Sequence, residues 1–184
     1  MIRQAPSSSP FPFDDRAAIV NLAEAYWSLI SERDAAEERA FERELPAARA
    51  AGHLSKSLFV RLARWKSVRN TPNYQSNTDA EVRAATSAAF SAPEDAVALQ
   101  ALMVLNGVAL RTASAILQWM RPDRFPILDF RVVQALGRSM PASYDNVGFY
   151  ATLAEEIRAL AERNSLDLRM IDRALWAWSK RQPT

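Results

Sequence analysis

The chain contains no cysteine, only four glycines and a single histidine, His53. Without cysteine there is no disulfide scaffold, no thiolate zinc site, no iron–sulfur cluster and no thiol nucleophile. A Ser-His-Asp triad or a histidine-rich metal site would have to be built on His53 alone. So few glycines leave no Gly-rich phosphate loop of the GxGxxG or Walker type. No apolar run approaches the roughly 18–20 residues that span a bilayer; the longest, Ala96 to Leu105, is broken by Gln100. Neither a metal, a cofactor nor a membrane is expected, and a cytoplasmic location is.

The 184 residues suit one domain, or two small lobes on a shared core. Residues 1–13 hold three prolines and Ser7-Ser8-Ser9 without a long apolar stretch, and read as a flexible leader rather than a signal peptide. Residues 14–184 read as a single all-helical domain. The net charge is only +2, but residues 45–78 carry six basic residues and no acid. Such a stretch is either a polyanion footprint or a solvated basic face.

Apolar spacing predicts helices almost everywhere and no alternating strand, hence an all-α fold. Helices are expected over 17–30, 34–44 (ending before Pro46), 57–68, 110–120, 130–136 and 144–162. Thr78-Asp79-Ala80-Glu81 is a capping box, and Ser91-Ala92-Pro93-Glu94 reads as a second. Residues 70–77 read as a polar loop. Asp167 is expected to cap a last helix that buries Leu168, Ile171, Leu175 and Trp178. Trp65 shares a face with Leu58 and Leu62, which places it in the core. Lys66 and Arg69 are expected to be exposed. Trp176 and Trp178 cannot share a helix face, so one of them is free to reach a cleft. Arg131, two residues beyond Asp129, either tunes it or lies on the helix surface.

Residues 102–117 carry the most information. Two apolar helices meet at Gly107 with almost no loop. Val108 plugs the turn, small Ala113 permits close approach, and the second helix starts with free amides that favour phosphate. After it comes Pro126-Ile127-Leu128-Asp129-Phe130-Arg131-Val132, an apolar approach to an Asp that opens a helix.

A hairpin over about 99–120 followed by this Asp resembles the HhH-GPD (helix-hairpin-helix) superfamily of DNA base-excision glycosylases, across about residues 99–138. The resemblance implies a multi-helix fold with a cleft between two helical lobes, duplex DNA as partner and no cofactor. It implies that Gly107, Val108, Ala109, Arg111 and Thr112 hold the phosphate backbone and that Asp129 is catalytic, stabilising positive charge on the sugar as an N-glycosidic bond breaks. Lys66 and Arg69 are added as further backbone contacts from the acid-free segment.

Two departures carry weight. The family turn usually reads Leu-Pro-Gly-Val-Gly; here it is Leu105-Asn106-Gly107-Val108-Ala109, and an alanine in the last place calls for a backbone without positive φ, or for strain. Bifunctional members carry a lysine where Arg111 stands. An arginine stays protonated and forms no Schiff base, which implies a monofunctional hydrolase of a damaged or mispaired base. Three alternatives stay open: Asp129 as a plain N-cap, a non-enzymatic DNA-binding or structural protein of the same fold, and a helical interaction protein with no nucleic-acid role.

Overall fold

The computed structural model describes residues 10–143 and 145–182, and among them there is no strand. Ten α-helices follow one another: α1 (Arg16–Leu29), α2 (Glu32–Ala51), α3 (Lys56–Lys66), α4 (Thr71–Ser76), α5 (Asp79–Ser91), α6 (Asp95–Met103), α7 (Leu110–Met120), α8 (Phe130–Ala135), α9 (Val147–Asn164) and α10 (Leu168–Arg181). None is long and apolar enough to cross a membrane.

The N-termini follow side-chain chemistry. Asp15, Ser31, Ser55, Asp129, Asn146 and Asp167 each accept a first-turn amide, and Thr78 with Glu81 forms the full capping box on α5. The second expected box does not form. α5 runs on to Ser91, whose hydroxyl donates back to the Ser87 carbonyl, and α6 starts after Glu94 with no side-chain cap.

Pro46 does not end α2. Its missing N–H leaves one helical carbonyl without its donor, but Phe41 and Leu45, fully buried in the turn before it, pin the helix to the core. Arg49 in its last turn donates to the Trp119 carbonyl at 2.6 Å, and Gly52 closes the helix in the left-handed region at φ +71°. The polar segment 70–77 is not a loop either. A 3-10 turn over Val68–Asn70 leads into α4, and Tyr74 is wholly buried.

The last residues of the expected leader are docked. Phe11 is buried edge-on against Trp178 and Phe13. Residues 1–9, like Tyr144 at the expected start of α9, lie outside the described residues. The two ends of the described chain meet, because α1 packs along α10 and Asn164 Nδ2 donates to the Phe13 carbonyl at 3.0 Å. α3 packs on α7 and α6 on α5 and α7, and one continuous apolar core joins these middle helices to the terminal pair.

Candidate functional site

The sharp turn between α6 and α7 is fixed from outside by α4. Gly107 has φ +82°, and a Cβ there would lie 2.8 Å from the Asn73 Cβ and 3.1 Å from the Tyr74 ring. Only glycine fits, on both backbone and space. Asn77, 2% exposed, accepts from the Asn106 amide at 2.8 Å and donates to the Asn106 carbonyl at 3.2 Å, while Asn70 donates to the Gly107 carbonyl at 3.1 Å. Asn70 and Asn77 therefore brace the hairpin, and Asn70 also borders the open cavity beside it. Val108 is buried, as a plug should be. Ala109 adopts φ −99°, ψ 173°, extended backbone that any residue takes, so the departure from glycine introduces no strain.

One backbone amide at the start of α7 and one of the expected phosphate contacts, Thr112, are already engaged. The Leu110 amide donates to the Asp145 carboxylate at 3.1 Å. Thr112 is 4% exposed, with its hydroxyl 3.3 Å from the Tyr74 hydroxyl. Arg111 and Arg69 remain accessible at the edge of an open cavity of about 630 Å³ bounded by the start of α7 and the end of α3.

The link 121–129 is pinned on three sides before it delivers Asp129. Leu128 N–H donates to Ser114 Oγ at 2.9 Å, buried Tyr150 donates to the Pro126 carbonyl at 2.9 Å, and Asp95 holds both Arg124 and Arg158. The link is therefore as rigid as the helices around it. Asp129 then does two things at once. Its Oδ1 caps α8 by accepting the Arg131 amide at 2.9 Å. Its Oδ2 takes Lys66 Nζ at 2.6 Å, with Arg111 Nη2 at 3.7 Å.

Lys66 is thus not an exposed contact. Its side chain is 8% exposed and turned inward onto the carboxylate. Arg61 is likewise consumed internally, by Glu37 and Glu44, and Arg49 by Trp119. Arg64 and Arg69 are exposed and make no ion pair among the described residues. The acid-free segment 45–78 is therefore not one basic face: half of its charge supports the fold and the site.

Asp129, Lys66 and Trp65 border a second cavity, of about 200 Å³, whose other walls are Tyr26 from α1 and Trp176 and Asp172 from α10. Trp65 is half-buried and packs on the core against Phe41 and Trp119, as its helix face predicts, while its remaining surface forms this wall. Trp176 is the tryptophan of its pair that reaches a cleft, with Arg131 stacked on its ring at 5.5 Å, while Trp178 packs on the core. Arg131 therefore serves Asp129 through its backbone and the cavity wall through its guanidinium.

Behind the cavity lies a charged network that spacing alone did not reveal. Glu38 is wholly buried on α2 and accepts from Arg169 at 2.7 Å, Arg173 at 3.0 Å and the Tyr26 hydroxyl. Arg169 also pairs with Asp172 one turn along α10. Glu38 lies in the charged helical stretch 34–44, and its burial depends on two arginines more than 130 positions away. For the Asp129 carboxyl, burial acts upward, but Lys66, the Arg131 amide and Arg111 outweigh it and hold the group below the usual carboxylate range.

These elements supply what charge stabilisation at a sugar requires: a fixed carboxylate, a cationic edge beside an open groove, and an adjoining aromatic-walled cavity. No family model matches this chain, and neither a curated protein nor a solved structure matches it.

Proposed function

We propose that the protein binds duplex DNA and hydrolyses the N-glycosidic bond of a damaged or mispaired base, as a monofunctional glycosylase of HhH-GPD type acting in the cytoplasm. The observation that carries this reading is the place of Asp129. It stands where the open groove at the hairpin meets the aromatic-walled cavity, and Lys66 borders both. A DNA strand along the first would present an extruded base to the second, with C1′ beside the carboxylate.

Arg69 and Arg111 are the expected backbone contacts, together with the turn around Gly107, Val108 and Ala109. Thr112 acts from below by holding Tyr74. Lys66 keeps Asp129 ionised and aimed. A phosphate reaching the start of α7 takes the place of the Asp145 carboxylate on the Leu110 amide.

That same carboxylate favours a second reading, a non-enzymatic DNA-binding or structural protein. An acid already seated on the helix start weakens phosphate capture there.

The test is salt-dependent binding to a duplex with a tetrahydrofuran abasic analogue, against the undamaged duplex, together with base release by the wild type and Asp129→Asn. A preference for the analogue, and base release lost in Asp129→Asn, is the expected result. Equal binding to both duplexes without base release favours the second reading. No binding at low salt overturns both.

A further inference from the structure

Asp129 shares its cavity with two further carboxylates, half-exposed Asp34 and buried Asp172, the latter one helical turn from Trp176 on α10. Asp129 and Asp172 are supplied with cations very differently. Asp129 has Lys66 at 2.6 Å, Arg111 at 3.7 Å and the Arg131 amide. Asp172 has Arg169, but that guanidinium also serves the fully buried Glu38 at 2.7 Å. Arg169 is thus divided between two carboxylates: Glu38 also has Arg173 and the Tyr26 hydroxyl, whereas Asp172 makes no other ion pair among the described residues, so Asp172 is the acid on which burial favours a proton.

The groups facing Asp172 are Arg169 on its own helix, Glu38 and Asp34 from α2, Tyr26 from α1, Lys66 from α3 and Asp129 from the link. Burial, opposed by Arg169 and Lys66 and reinforced by Asp129 and Glu38, pushes Asp172 up to about 6. Glu38 is held down, by Arg169 and the Tyr26 hydroxyl above all, against the upward push of burial. Two carboxyls in one cavity whose proton affinities diverge are a pair suited to acid and base work at the same bond.

The chemistry of the proposed function has a use for such a pair. A neutral purine leaves C1′ poorly unless a ring nitrogen is protonated as the bond breaks. A purine alkylated at N7 already carries the positive charge and needs no acid.

Building on the hydrolase reading, we propose that Asp172 is a general acid that protonates a neutral purine held in this cavity, so that the site takes uncharged purine lesions or mispairs. The Asp172 carboxyl gives its proton to a ring nitrogen, and the C1′–N9 electron pair leaves with the base. The positive charge left on C1′ and O4′ faces the Asp129 carboxylate. Water adds to C1′ and passes its proton to Asp129. Afterwards Asp129 releases a proton to solvent and Asp172 regains one, so the net change is hydrolysis.

The test measures free base released by the full-length protein from duplexes carrying hypoxanthine, 8-oxoguanine, adenine opposite 8-oxoguanine, or 7-methylguanine, from pH 5 to 8. At least one neutral purine is released, and its release falls roughly tenfold per unit above pH 6 as the acid form is lost. Asp172→Asn lowers that release by about 10²–10⁴-fold and lowers 7-methylguanine release far less, with circular dichroism reporting that the variant is folded. Asp172→Glu restores neutral-purine release with a displaced pH profile.

Equal loss on neutral and cationic bases, a flat pH profile, or release confined to 7-methylguanine overturns the acid role and leaves the hydrolase reading standing. If no base is released while the abasic-analogue duplex is still preferred, the acid role fails and DNA recognition stands. Loss of that preference as well overturns both.

Discussion

Lys66 Nζ, on the last residue of α3, lies 2.6 Å from Asp129 Oδ2, sixty-three positions away, and both side chains are largely withdrawn from solvent. Salt bridges of this kind add little net stability when complete, but removing one partner strands the other charge.

Lys66→Met is therefore expected to destabilise the fold by about 2–3 kcal/mol. That is below the ~3–5 kcal/mol of a fully buried pair, because Asp129 keeps the Arg131 amide and Arg111. Adding Asp129→Asn to Lys66→Met should recover much of the loss. Urea unfolding of both single variants and the double variant measures the coupling. Strict additivity would show that the two side chains do not depend on each other.

Stability should have an acidic optimum. Asp129, Glu38 and Asp95 are held below their ordinary values, each by its cationic partners against burial, so their stabilisation is present above the unfolded carboxylate range near 4 and is lost as pH falls through their lower folded values. Asp172 acts in the other direction. Its folded value is raised to about 6, so its contribution is full below about pH 4 and is lost as pH rises to about 6, an effect of order 2–3 kcal/mol. The melting temperature should peak near pH 4–5, and Asp172→Asn should flatten the decline towards neutrality. An unchanged decline in that variant would place the titrating group elsewhere.

The hairpin turn should tolerate no side chain. Gly107→Ala meets both a φ of +82° and an approach of 2.8 Å to Asn73, and is expected to destabilise by about 2–4 kcal/mol. Gly52 has φ +71° but open space around it, so Gly52→Ala should cost only about 1 kcal/mol. Thermal melts of the two variants separate steric from purely conformational cost.

DNA binding should respond to the two accessible arginines. Arg69→Ala and Arg111→Ala should each weaken binding to any duplex sequence and reduce the slope of log K against log salt by about 0.9. Lys66→Ala should leave the slope nearly unchanged, since the Lys66 ammonium at the groove is already paired with Asp129. Fluorescence anisotropy titrations over about 50 to 300 mM salt read these slopes. An unaltered slope in both arginine variants would place the phosphate track on another face.

The sequence carried the helices well and the site in part. Caps at Thr78, Asp129 and Asp167 were legible because each is decided within four residues. The hairpin was legible from Gly107 and its apolar flanks. Pro46 misled because local backbone preference lost to the burial of Phe41 and Leu45. Lys66 was misplaced, and Glu38 passed unnoticed, for a related reason. A charged side chain far from its partner in sequence looks solvated, and only the packing of α3 on α7 and of α1 along α10 brings Asp129, Arg169 and Arg173 to them. Polar residues such as Asn77 read as loop although they hold the hairpin in place, because hydrogen bonds to a distant turn leave no periodic trace.

The cavity also has an order of arrival. Its first wall, Tyr26, leaves the ribosome early, and the hairpin and Asp129 follow in mid-synthesis. Asp172, Arg169 and Trp176 come on the final helix. A nascent chain stopped before Leu168 can hold its hairpin but lacks the floor of the pocket, and leaves Glu38 without both of its arginines. The aromatic-walled cavity is thus complete only when the last helix closes against the first. On the proposed reading, a nascent chain emerging beside nucleic acid would have its grip before it had its chemistry.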